Sequence, residues 1–176
     1  MRTEYNNALK KYFQEMLASR LPGFQLTKIN SKYKSPGELF FVNTVDDALK
    51  LFIIISQHAK GADRFTVELG WSIINDFPQL SMRPNAETPE QININNTSEY
   101  ICRIGTLIDG KDKWWSLKDS SILRIKDPIQ KLIAQSTKVD ANRISTIVEP
   151  KVKDAIEKLS TYGFPFFEKV RSLLAQ

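Results

Sequence analysis

Two tryptophans, Trp114 and Trp115, stand side by side just after Asp112, with Arg103 a short way upstream. Adjacent indoles on an extended segment point to opposite sides, so one can fill a core while the other reaches a groove or a partner. Tryptophan is enriched at binding hot spots, because it buries a large ring and still offers an N–H. The structural alternative is that both rings pack, one against a sheet and one under a helix. On a strand, Arg103 shares its face with Ile101, Gly105 and Leu107. An arginine among apolar neighbours pairs with a carboxylate or points to solvent at an edge. Asp112 is the candidate partner. Their pairing would either pin the Gly110–Trp115 loop or leave a fork that takes an anionic ligand bidentately. Arg103, Asp112, Trp114 and Trp115 are therefore the candidate ligand or partner surface.

Other chemistry is scarce. The chain has one histidine, His58, and one cysteine, Cys102. Neither a disulfide framework nor a zinc site of several Cys and His ligands can be built within one chain. His58 and Cys102 make a nucleophile–base pair only if the fold joins them, and cysteine is commonly buried and inert. His58 alone as a general base competes with a plain strand-end role. Asp46-Asp47 is the only adjacent acid pair, and it reads first as turn or cap residues. A magnesium site would need ligands converging from distant positions. Gly61-x-x-Arg64 lacks the spacing of a phosphate-binding loop. No catalytic residue, metal or cofactor is assigned, and the composition points away from an enzyme. Lys28, Lys32, Tyr33 and Lys34 form a thin basic stretch with one aromatic. It reads as a weak single-strand nucleic-acid site or, more simply, as a lysine-bearing edge that resists sheet aggregation.

Twenty-five basic and 20 acidic residues give a net charge of +5 and a pI near 9.3. The signs are interspersed, unlike the concentrated basic face of a dedicated nucleic-acid domain. The N-terminus has no uninterrupted apolar stretch of the secretory kind. The strongest apolar run, Leu51–Ile55, falls far short of the ~20 residues a membrane span requires. A cytoplasmic protein with no membrane partner is expected, which makes the sequons at Asn95 and Asn96 chance matches.

These residues must be held by something. Leu9, Tyr12, Phe13, Met16 and Leu17 repeat at helical spacing, and Pro22-Gly23 ends the run. Strands are predicted over Phe24–Ile29, Glu38–Val45, Leu49–His58, Arg64–Ile73 and Tyr100–Ile108. Leu49–His58 is apolar on both faces and reads as a central strand. In Arg64–Ile73 the odd positions from Phe65 to Ile73 are apolar, while Arg64, Thr66, Glu68, Gly70 and Ser72 make a more polar face. The short Lys60–Asp63 link makes these two strands an antiparallel hairpin. Asn75–Thr97 carries three prolines and many asparagines and reads as a long loop. Asp127-Pro128 starts a helix with Ile129, Leu132 and Ile133 on its apolar side. A further helix is predicted over Lys151–Tyr162 with Gly163 as its cap, and a last one from Pro165 with Phe167, Val170, Leu173 and Leu174 inward. One helix, a run of strands and then helices make a single α+β domain over residues 1–176. Its sheet is mainly antiparallel, of about four or five strands, with the helices on one face.

The run Phe65-Thr66-Val67-Glu68-Leu69-Gly70, then Arg103-Ile104-Gly105-x-Leu107, then Asp112-x-Trp114-Trp115-x-Leu117 resembles the bacterial family known as domain of unknown function 4304. The N-terminal helix reaching Gly23-Phe24 and the helical tail also fit, so the likeness covers about residues 5 to 175. It implies a bacterial α+β domain, often standing alone, and carries over no activity and no catalytic residue. The expected function is a non-catalytic module that binds a protein, in the manner of an immunity or antitoxin partner. The alternatives are a nucleic-acid-binding accessory protein and an enzyme with a carboxylate or arginine site beside Trp114-Trp115.

Overall fold

The computed structural model describes residues 3–30, 34–46, 48–58, 63–74, 98–118, 124–130 and 140–174. Lys32, Tyr33, Asp47, the Lys60–Ala62 part of the hairpin link, the Asn75–Thr97 segment, Leu132 and Ile133 lie outside them. Helix α1 (Thr3–Arg20) buries Tyr5, Leu9, Phe13 and Leu17. Their spacing of four puts them on one stripe, which lies on the sheet: the Phe13 ring meets Phe65 edge-on at 5.7 Å. Deleting a buried leucine of this stripe would cost about 2–5 kcal/mol.

The strands are β1 (Gln25–Thr27), β2 (Leu39–Thr44), β3 (Lys50–Gln57), β4 (Arg64–Ser72), β5 (Glu99–Arg103) and β6 (Trp115–Ser116). They form one open antiparallel sheet in the order β1-β2-β3-β4-β5, with β6 also on β4. Strand β3 lies in the middle, as its two-sided apolar run predicts, and is buried from Leu51 to Ser56. Alternation divides the sheet into two faces. Phe41, Leu51, Ile53, Ile55, Phe65, Val67, Leu69, Trp71 and Cys102 meet the helices. Phe40, Phe52, Ile54 and Ile101 form a smaller apolar cluster on the other face, with Ile29 against them.

Three expectations need correction. First, the Tyr100–Ile108 strand ends at Arg103, and Ile104–Ile108 is a short helix, α2. Gly105 explains it: a Cβ there would lie 2.0 Å from the Lys111 carbonyl oxygen, so the returning chain packs on bare backbone. Gly105 and Leu107 therefore do not share a strand face with Arg103. Second, β4 is covered on its more polar face as well as its apolar one, since Thr66, Glu68 and Ser72 are buried too. Third, the Lys151–Tyr162 helix starts earlier and does not stop at Gly163. Helix α3 (Ala141–Lys158) is capped by the Asp140 carboxylate, which accepts from the Asn142 N–H, and it runs through Pro150. A π-helical turn (Leu159–Gly163) then carries the axis directly into α4 (Phe164–Leu174). Pro165 has no N–H and its ring crowds the carbonyl one turn back. The widened turn absorbs this, with the Phe164 N–H donating to the Leu159 carbonyl five residues earlier. Gly163 is an approach point: a Cβ there would sit 3.2 Å from Leu69 on β4.

Farther out, the Asp127 carboxylate accepts from the Ile129 N–H, as its capping role predicts. No described helix is long and apolar enough to cross a membrane.

Candidate functional site

Strands β5 and β6 both pair with β4, at opposite ends of it. Glu99–Arg103 runs beside Glu68–Ser72, and Trp115–Ser116 beside Arg64–Phe65. Between them the chain leaves the sheet for Ile104–Trp114 and returns. This excursion brings Asp112 and Trp114 to the second face, over the stretch of β4 that β5 and β6 leave uncovered.

Cross-strand register sets what they meet. The His58 N–H donates to the Arg64 carbonyl at 3.2 Å, which places His58 beside Arg64. Ser56 lies opposite Thr66. Ile54 lies opposite Glu68, which lies opposite Arg103. One end of the face is therefore polar. The other is apolar, where Phe52, Gly70 and Ile101 are in register. Each polar row is tied. The Ser56 hydroxyl donates to Glu38 at 3.0 Å, and the Thr66 hydroxyl donates to the Lys113 carbonyl at 2.7 Å. The buried Glu68 carboxylate lies 3.6 Å from Arg103. The same guanidinium bonds Asp112, which also accepts the Trp114 indole N–H at 3.2 Å. Asp112 thus pairs with Arg103 and pins the Gly110–Trp115 loop.

The two tryptophans take opposite faces. Trp115 is buried against the helices, stacked on Phe65 at 5.3 Å, and its N–H donates to Asp154 of α3 at 2.6 Å. Trp114 is half-buried on the second face. Its ring centre is 4.9 Å from the Arg64 guanidinium and 5.2 Å from that of Arg103, with His58 edge-on at 5.4 Å. Such contacts hold the indole and both cations in fixed orientations. Three of the four candidate residues, Arg103, Asp112 and Trp114, are therefore one cluster, and Trp115 belongs to the core.

Arg64 and His58 complete the cluster, and the sequence reading did not place them in it. A signal was present: alternation along β4 sets Arg64 on the same face as Glu68, and the short hairpin link returns His58 to it.

The remaining candidates lie elsewhere. Cys102 is on the helix face, so it does not meet His58 at a shared centre. Its thiol is pushed up to about 12 by burial and by the nearby Glu68 carboxylate, which leaves it protonated and unreactive. Asp46 accepts from the N–H groups of Leu49 and Ala48, which hold its carboxyl below the usual range. That is a turn role. Lys28 is exposed, and the Lys34 ammonium donates to the Ile29 carbonyl at 3.2 Å. Among the described residues, no group of three or more His, Cys, Asp or Glu side chains could hold a metal ion.

Comparison with protein-family models, curated proteins and solved structures gave no match. The resemblance to the bacterial family therefore rests on the residues quoted for it.

Proposed function

We propose that the chain is a non-catalytic protein-binding module of the bacterial cytoplasm, belonging to the family it resembles, and that it docks through the Trp114 face of the sheet. The observation that carries this reading is the half-buried Trp114 held against Arg64 and Arg103. Tryptophan and arginine dominate binding hot spots. Side chains already fixed by stacking and ion pairing lose little rotamer freedom when a partner covers them. The chemistry around them supports binding over turnover: the carboxylates of Glu38, Glu68 and Asp112 are each engaged by a hydroxyl, a main-chain N–H or Arg103. An immunity- or antitoxin-like role is the analogy that fits a domain of this size.

The test is capture of partners from the source cell at native levels, with the parent chain and Trp114→Ala side by side. The parent should retain a specific protein that the variant loses. Equal retention by both, or no protein retained by the parent, would sink the reading.

A further inference from the structure

We propose that the Trp114 face takes a single carboxylate, from an aspartate or glutamate in an acidic segment of the partner, on the guanidinium of Arg64; this rests on the protein-binding reading above. The two arginines of the cluster differ. Arg103 forms ion pairs with Glu68 and Asp112, although its Nε, like that of Arg64, is buried without a hydrogen-bond acceptor. Arg64 forms an ion pair with none of the described carboxylates. Its Nε is buried without a hydrogen-bond acceptor, and the contact its side chain makes is with the Trp114 ring. A desolvated donor left unmet is costly, so an acceptor that reaches it is favoured by more than an exposed cation would be. Stacking fixes the plane of the guanidinium in advance. The planar fork matches the two oxygens of a carboxylate.

The surroundings select one charge rather than many. Glu68 and Asp112 lie in the same cluster and both pair with Arg103, so of the two cations Arg64 is the one with no ion pair among the described residues. A nucleic-acid backbone would bring successive phosphates against those two carboxylates. An isolated acidic side chain, with the rest of its peptide on Trp114, avoids that repulsion.

The experiment follows the side-chain N–H signals of Arg64, Trp114 and Trp115 by nitrogen-15 NMR while an end-capped pentapeptide with one central glutamate among glycines is added. Inorganic phosphate and an oligothymidylate serve as comparison probes. The single-glutamate peptide should shift the Arg64 and Trp114 signals and leave that of Trp115 in place. Arg64→Lys keeps the charge but loses the fork, and should weaken binding about tenfold or more. An unmoved Arg64 signal at millimolar peptide, or equal affinity in Arg64→Lys, would overturn the proposal. So would tighter binding of phosphate (a small-anion site) or of the oligothymidylate (a nucleic-acid site) at the same signals. A captured partner lost in Trp114→Ala but kept in Arg64→Lys would overturn the carboxylate claim and leave the docking surface standing. A response to the single-glutamate peptide with no partner captured from the cell would do the reverse.

Discussion

Replacing Gly105 by alanine tests whether backbone packing at α2 builds the Trp114 face. The added Cβ would lie 2.0 Å from the Lys111 carbonyl oxygen and 2.7 Å from the Lys113 nitrogen. Both atoms are main chain, so neither can swing aside as a side chain would. To restore contact distance, the returning segment must retreat by roughly 1 Å or more. Thr66 then loses its acceptor, the Lys113 carbonyl at 2.7 Å. Thr66 is fully buried, so its orphaned hydroxyl costs about 1–3 kcal/mol. Disturbing the half-exposed Arg103–Asp112 pair adds about 0.2–1 kcal/mol. We expect a total destabilisation of about 2–4 kcal/mol, read as a lower urea midpoint with an unchanged slope. The Trp114 indole N–H signal should move as well. Gly110→Ala is the comparison, because a Cβ there meets open space and the cost is only its φ of +75°, about 1–2 kcal/mol. Stability within about 0.5 kcal/mol of the parent in Gly105→Ala, with the Trp114 signal in place, would refute the reasoning.

Three further outcomes are expected. Trp115→Phe keeps a ring on Phe65 but removes the N–H that meets Asp154 at 2.6 Å; it should cost about 1–3 kcal/mol in urea unfolding and leave binding of the single-glutamate peptide unchanged, whereas a lost peptide response would place Trp115 in the binding surface. The Cys102 thiol should resist a disulfide reagent at neutral pH until the chain unfolds. Because its folded value is raised to about 12, the unfolded thiol ionises first, so its contribution to stability is full below about 9.0 and falls as pH rises toward 12; a serine variant with the same alkaline slope as the parent would contradict this. Asp46, held low by two backbone N–H groups, contributes stability above its unfolded value near 3.9 that fades as pH falls through the folded value. Asp46→Ala should flatten the acid limb of a urea-midpoint profile, and an unaltered limb would remove the turn role.

Periodicity was enough for much of the fold. A four-residue apolar spacing makes α1, and two-sided apolarity makes β3 the middle strand. Alternation with a short link makes the β3–β4 hairpin, because each signal is a local consequence of helix or strand geometry. The same alternation sends Trp114 and Trp115 to opposite faces. It did not show that Ile104–Ile108 is helical, since five apolar and small residues read equally well as a strand. Nor did it show the first turns of α3, where Pro150 lies inside the helix and the buried stripe from Ile144 to Ile156 outweighs the hydrogen bond its ring removes.

The candidate site divides in the same way. Residue types and short spacings named Arg103, Asp112 and Trp114 together, and hydrogen bonds and an ion pair join them. Alternation and the hairpin link put Arg64, Glu68 and His58 on one face, but they meet Arg103, Asp112 and Trp114 only through the pairing of β4 with β5 and β6, which lie far from it in the chain. The burial of the polar face of β4 arises in the same way. A sequence determines which way a side chain points relative to its own backbone. Which foreign backbone and which opposite charge it then meets is set by long-range packing, because those contacts depend on how separate elements exclude water together.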